Sequence, residues 1–524
     1  MNQINFKTEE LMILLCACLA QFVASADNMS TALLIKEIMA FFDINLSLGQ
    51  VVTASYSIVS ASLMLVSGLL GYYFSWKKVF QAGLTFCVLG EVLVLFVHDV
   101  WLFIILSRGV VGLGAALILP SCIALITTQV QRNNRVMTFS IWGTSVALVI
   151  AVYPTVLTIL NNLSGWRAGF TFLGLVAAFV LLLSMKLPDT PPVRSKKRID
   201  KLGTVYIVFA IGFLLTAMTF APSLGFFEPK KDVLILGVNL SRFGIAIPMQ
   251  LVFLASLFFF AFILKNKSNN KGHIHAVIPS SFLKIEVLAG LYILLLLYVI
   301  YGGILFSLIS YISLGSYSKV DLATAVTSFA VTMFTTSVIV AFKGKDLSIK
   351  KLNTMGLLLL VCSMSLLALT IQPRTSIGTI VFCVSLIGCA CGMIATKSNV
   401  AVNCAVGAQY AEQSSGAQVS AKNIGYVIGV ALFGWMLTVV AQYELSNTMS
   451  SLSQSIDIIG LHDSLNFMSN EQLNETLIKY GIEPIKTFNQ INNTARASAL
   501  KQALFIGSAI CFFSIPIGRS VVNE

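Results

Sequence analysis

Apolar residues in this chain gather in runs of roughly twenty, separated by short polar connectors and without strict alternation inside the runs. A helix of about 20 apolar residues spans the ~30 Å hydrocarbon core of a bilayer. Barrel strands would instead read as alternating segments of about ten residues. The pattern predicts fourteen spans, near 11–32, 48–74, 79–98, 101–128, 137–160, 167–186, 203–222, 243–264, 285–310, 321–342, 353–371, 376–403, 417–441 and 500–518. The fold class it predicts is an all-α polytopic membrane protein. The first run has no basic segment ahead of it and continues to full spanning length, so it reads as span 1 rather than a cleaved signal.

The polar interruptions organise the spans. The Pro-rich, basic stretch LPDTPPVRSKKRIDK (187–201) closes a first block of six, and KNKSNNKGHIHAVIPSSF (265–282) is a second polar linker. The expected domains are an N-terminal six-helix bundle (1–186), a linker with an inserted two-helix hairpin (187–284), and a C-terminal six-helix bundle (285–524). Many transporters are built from such repeats. The connector 443–499 is polar, rich in Asn and Ser, and too long for a turn. Within it, Ser469-Asn470-Glu471 and the periodic run to Tyr480-Gly481 predict a capped helix of about three turns, packed over the outer mouth. A structureless tether is the alternative. Asn162, Asn474 and Asn492 begin Asn-x-Ser/Thr triplets, which an Asn-rich chain produces by chance.

Of 524 residues, 57% are hydrophobic and 11% charged, with a net charge of +12. A soluble protein would carry about 25% charged residues. The basic excess is not spread as a nucleic-acid surface. The connectors 75–78, 129–136, 186–201, 265–284 and 343–351 hold 18 Lys and Arg; those on the other side, 33–47, 98–100, 161–167, 223–242, 311–320 and 372–375, hold 7. The positive-inside rule then sets both termini in the cytoplasm and excludes nucleic acid as a partner. All ten cysteines lie in or beside apolar spans, so no disulfide framework is indicated. Cys389 and Cys391 form a C-x-C whose Gly and Ala neighbours point to helix packing rather than metal.

Three ionisable residues fall deep in the first block. Arg108 lies in LSRGVVGLGAALILP (106–120), where insertion of an arginine costs at least ~2.5–3.5 kcal/mol. Gly112, Ala115 and Ala116 follow on its helical face and would let a neighbouring helix or ligand approach the guanidinium. At about 1.5 Å per residue, Asp27 lies ~24 Å and Glu91 ~18–20 Å from the inner starts of their helices, and Arg108 ~10–12 Å below the outer edge of its own. All three fall in the outer half of the core, within reach of one another. Carboxylates coupled to a guanidinium there would make a protonation switch, taking up and releasing a proton as the environment alternates between paired and desolvated. A purely structural Asp27–Arg108 pair, and a Glu91 at a wet helix end, are the plainer readings. Lys397, near an inner end, reads as snorkelling to the headgroups.

These segments resemble the fourteen-helix drug:proton antiporter family of the major facilitator superfamily. VVTASYSIVSASLMLVSGLLGYYFSWKKVFQAGLTF (51–86) is similar to the family's helix 2 and loop 2–3. LSRGVVGLGAALILPS (106–121) resembles its helix 4 signature, including Gly112 and Gly114. Asp27 in ASADNMSTALL matches the acidic position of helix 1. Trp166-Arg167 and Asp200-Lys201-Leu202-Gly203 match the starts of helices 6 and 7. SSGAQVSAKNIGYVIGVALFGWML (414–437) resembles helix 13, with Gly416, Asn423, Gly425 and Gly429 in place.

The resemblance implies the major facilitator fold: two six-helix bundles plus an inserted pair, rocking about a central cavity. It implies proton-coupled export of a small lipophilic or cationic compound, with Asp27 handling protons or substrate and Arg108 supporting it. It further implies no cofactor beyond a proton gradient, a monomer, a small-molecule substrate, and residence in a bacterial inner membrane.

The chain departs from the family at several positions. In loop 2–3, Gly68 and Leu70 match, but Tyr72, Tyr73 and Ser75 replace Asp, Arg and Gly, while Lys77 and Lys78 keep the basic character. The missing Asp should remove a contact between bundles. Val111 replaces a Gln. At helix 5, Tyr153-Pro154-Thr155-Val156-Leu157-Thr158 stands for G-P-x-x-G-G, and Pro154 alone survives. Glu91 occupies a position that is usually small.

The lost helix 5 glycines motivate an alternative, an importer or symporter of a small metabolite on the same fold. A non-transporting, receptor-like member is a third reading, opposed by the retention of Asp27 and Arg108. The chain is not expected to be an enzyme: it carries no nucleotide-binding loop, metal cluster or nucleophile–base pair.

Overall fold

Every one of the fourteen apolar runs lies on a helix. In the computed structural model, which describes residues 7–70, 74–190, 198–229, 234–235, 238–239, 244–269, 274–275, 277–343, 347–406, 411–452, 467–479 and 486–520, the long helices follow in chain order. They are α1 (Thr8–Leu33), α2 (Leu46–Leu70), α3 (Trp76–Leu93), α4 (Val110–Gln129), α5 (Arg132–Ser164), α6 (Arg167–Ser184) and α7 (Lys201–Leu224). The remainder are α8 (Ile247–Asn269), α9 (Ile285–Ser313), α10 (Lys319–Lys343), α11 (Ile349–Thr370), α12 (Ile377–Val406), α13 (Ala411–Leu452) and α14 (Lys486–Ser520). Among the described residues, twelve of the helices are long and apolar enough to cross a membrane. The other two are α3, whose 18 residues include Lys77, Lys78 and Glu91, and the 33-residue α5.

Local chemistry sets the helix ends. Asp200 accepts a hydrogen bond from Gly203 N at 2.9 Å and so caps α7. The Asp-Lys-Leu-Gly motif is therefore a helix start. Gly165 (φ 80°) and Gly225 (φ 82°) follow α5 and α7, in a conformation that side chains resist. One extended apolar cluster runs from Ala26 and Met29 of α1 through Tyr153 of α5 to α9–α14. Two helix pairs join the halves, α2 along α13 and α5 along α10.

Helix α7 of the inserted hairpin lies against this seam, and α8 packs on α7. Ile207, Ile211 and Leu215 of α7 pack with Ala54 and Ala61 of α2 and Val427 of α13. Behind it, α8 leaves Phe253, Phe259 and Phe260 exposed, as a lipid-facing helix should. Its two linkers are tied by a short parallel pairing of Arg198–Ile199 with Ile274–His275.

The expectation of one long polar connector at 443–499 is corrected in part. Helix α13 continues to Leu452 and α14 begins at Lys486, with the helix Asn470–Lys479 between them. These extensions are polar because they project beyond the apolar layer and bury only a small core of Leu445, Leu473, Leu477 and Phe488. The expected cap is present: Gln472 N donates to Ser469 Oγ at 3.2 Å, and Ser469 N to Gln472 Oε1 at 3.1 Å. This helix buttresses the C-terminal half, where Arg496 donates to the carbonyl oxygens of Met468 and of Leu314 at the end of α9. Asn492 is fully buried and donates to Asn470, so its triplet is structural.

Candidate functional site

The fourth run does not enter as a plain α-helix. Asp99 accepts from the amides of Trp101 and Leu102 at 2.9 and 3.0 Å and starts a single turn, Val100–Leu102. Residues Phe103–Gly109 then form a π-helical turn ahead of α4. Phe103, Ser107 and Arg108 are its buried positions, while Ile105 and Leu106 are exposed. Such turns interrupt the regular ladder and recur at functional sites.

The π turn delivers the guanidinium to both expected carboxylates. Arg108 Nη1 donates to Asp27 Oδ1 of α1, and Nη2 to Glu91 Oε2 of α3 at 3.1 Å. All three side chains are 0% exposed. Ser107 Oγ accepts from Nη2 at 3.0 Å and Nε at 3.3 Å, and the guanidinium carbon stands 4.5 Å from the ring centre of Phe170. Ser107 and Phe170 were not legible as part of this site, since neither is unusual in an apolar run.

The set has a charge imbalance: two carboxyls share one guanidinium. Asp27 Oδ2 and Glu91 Oε1 are buried and accept no hydrogen bond. A single proton makes the set neutral, and an uncompensated charge there would be costly.

Of the two neighbours that the small residues after Arg108 could admit, a helix or a ligand, the structure shows helices, and Arg108 is fully buried. A Cβ on Gly112 would lie 2.6 Å from the Tyr56 carbonyl oxygen of α2, and one on Gly114 would lie 2.7 Å from that of Gly83 in α3. These glycines, with the buried Ala115 and Ala116, seat neighbouring helices rather than a ligand. Glu91 is also not at a wet helix end; it is 1% exposed and touches the position of Gly174 in α6.

Of the loop 2–3 residues, Lys77 ties α3 to the start of the linker that follows α6. Lys77 Nζ donates to the Leu187 carbonyl at 2.7 Å and pairs with Asp189 at 3.0 Å. Lys78 is exposed, Gly68 lies within α2, and Tyr72 falls outside the described residues, as does the Lys397 side chain. On the opposite face, Glu37 accepts from Asn161 at 2.8 Å and pairs with Lys319 of the other half at 3.1 Å. The cavity beside this latch is lined by Leu33, Pro154, Leu157 and Tyr317. Tyr153 forms a 2.7 Å hydrogen bond with Ser30 of α1. Arg167 donates to the Val94 and Val97 carbonyls at 3.2 and 2.7 Å, closing the end of α3.

The helix 13 signature divides between two partners. Gly416 and Asn423 face Met64 of α2, whereas Gly425 and Gly429 meet the backbone of α9 at Leu295 and Val299.

A model of the Major Facilitator Superfamily matches residues 17–430. The methylenomycin A resistance protein of Bacillus subtilis (strain 168) is 28% identical over 179 residues, covering 34% of this chain and 38% of that protein. The low affinity ammonium transporter of Saccharomyces cerevisiae is 28% identical over 194 residues, covering 35% and 38%. This chain thus spans well under half the length of these curated relatives. The crystal structure of a peptide transporter, POT, in complex with sulfate shares the fold at a TM-score of 0.62 and 12% identity, covering 99% of this chain and 97% of that one.

Proposed function

The chain belongs to the Major Facilitator Superfamily, a superfamily of membrane transporters, and on that premise we propose that it exports a small lipophilic or cationic organic compound in exchange for protons. The feature that carries this reading is the buried Asp27–Arg108–Glu91 set, with two acids for one base. In a dry interior such an arrangement holds one proton more readily than two bare charges. A proton reaching Asp27 or Glu91 would loosen that group's hold on Arg108 and free α1, α3 and α4 to shift against one another. Opening of the Glu37–Lys319 latch would then expose the opposite face. In this reading the protein is a monomer that crosses a bacterial inner membrane fourteen times, with both termini in the cytoplasm.

Import on the same fold has one specific observation in its favour. Where an exporter signature would place glycines in α5, Tyr153 is bonded to Ser30 and ties α5 to α1.

Reconstitution into proteoliposomes under an imposed pH gradient, with a broad panel of organic compounds, decides activity and direction together. Asp27→Asn is expected to abolish gradient-driven movement while the protein stays folded; full activity in those vesicles would refute the assignment. Glu91→Gln is expected to shift the pH profile of transport. An unchanged profile would reduce Glu91 to packing.

A further inference from the structure

Helix α13 begins at Ala411, and Lys422 lies roughly 17 Å along it at about 1.5 Å per residue, inside the apolar stretch that starts at Gly416. On the same helix Ile424, Val427 and Ile428 pack with Ile207 and Ile211 of the inserted hairpin. Lys422 and Tyr426, four residues apart, share the opposite side, which faces the bundle interior. Asn423 Nδ2 stands 3.5 Å from Met64 Sδ of α2, so this stretch lies where the two halves meet.

The lysine is held by rings rather than by a counter-charge. Its Nζ is 5.8 Å from the ring centre of Tyr298 in α9. Tyr298 lies 5.6 Å from Tyr301, and Tyr301 lies 6.2 Å from Tyr426. Among the described residues, Lys422 makes no ion pair. Lys422, Tyr298 and Tyr301 are each partly accessible, so a space the size of a water molecule reaches all three.

We propose that Lys422, Tyr298 and Tyr301, backed by Tyr426, bind the transported compound, and that this compound is an organic anion with an aromatic or otherwise apolar body. An ammonium largely withdrawn from water is stabilised by a negative partner, and the described residues supply none here. The tyrosine rings offer apolar faces, and their hydroxyls can donate to an anion's oxygens. The inference rests on the transporter reading and narrows it. A cationic cargo would meet an unpaired positive charge.

The test uses two probes that share a ring and differ in charge, 1-naphthoate and 1-naphthylmethylammonium, with the purified full-length protein in detergent. Wild-type protein is expected to bind the naphthoate in preference to the ammonium. Lys422→Gln should weaken naphthoate binding about 30-fold or more, the low end for removing one partner of a buried charge pair. Lys422→Arg should restore part of it, which a merely misfolded variant would not do. Equal naphthoate binding by wild type and Lys422→Gln, absence in both included, overturns the proposal. Gradient-driven movement of the ammonium alone would remove the anion site and leave the transporter standing. Naphthoate binding with no gradient-driven movement of any compound would do the reverse.

Discussion

Arg108→Ala is expected to cost about 3–5 kcal/mol of stability, the toll for stranding a buried partner of a broken ion pair, and to leave little folded protein after extraction. The reason lies in what remains. Asp27 and Glu91 lose their common donor, are fully buried, and each already has one oxygen without a hydrogen bond. Asp27→Asn should be milder, because Arg108 keeps Glu91 and Ser107 as acceptors. Replacing all three by apolar residues of similar volume (Asp27→Leu, Glu91→Met, Arg108→Met) should recover most of the stability, since well-packed apolar groups often match a buried ion set. That triple variant should nonetheless fail to couple transport to a proton gradient. Thermal unfolding of the four proteins in one detergent provides the ranking. A wild-type midpoint for Arg108→Ala would mean that these charges are not buried against one another in the protein as it exists in detergent.

Much of this architecture is written in hydropathy. Each run of apolar residues near bilayer length lies on a helix, and among the described residues twelve of these helices are long and apolar enough to cross a membrane. The charged triad was legible for the same reason: Asp27, Glu91 and Arg108 are expensive where they stand, and mutual pairing is the cheapest remedy. Two features escaped. The π turn at Phe103–Gly109 has no compositional mark, because apolar residues fill it as they would an α-helix. Lys422 was masked by its setting, since SSGAQVSAKN is polar enough to read as a span's wet end, and its tyrosine neighbours come from α9, far away in sequence. The extensions of α13 and α14 were missed because helices outside the apolar layer lose the hydropathy signal that defines spans.

Gly429→Ala is expected to destabilise the protein by about 3 kcal/mol, the upper end of over-packing costs, although it adds only one methyl group. The two helices α9 and α13 cross where glycines face each other. A Cβ on Gly429 would meet the Val299 carbonyl oxygen and stand 2.8 Å from Gly303 N, and one on Gly302 would stand 2.8 Å from the Tyr426 carbonyl oxygen. Backbone atoms cannot rotate aside as side chains do, so the helices must separate and give up their packing along the whole contact. Gly416→Ala tests the argument from the same signature. There a Cβ would rest 3.6 Å from the Met64 carbonyl oxygen, an ordinary contact, and helix propensity favours alanine by about 1 kcal/mol. That variant should be neutral or slightly more stable. Paired thermal melts separate the two cases, and equal losses at both positions would show that the signature is sensitive throughout rather than at the α9 crossing. The asymmetry would suit the alternating access proposed above: α13 packs backbone to backbone on α9, while its Gly416 end meets α2 at ordinary contact distance.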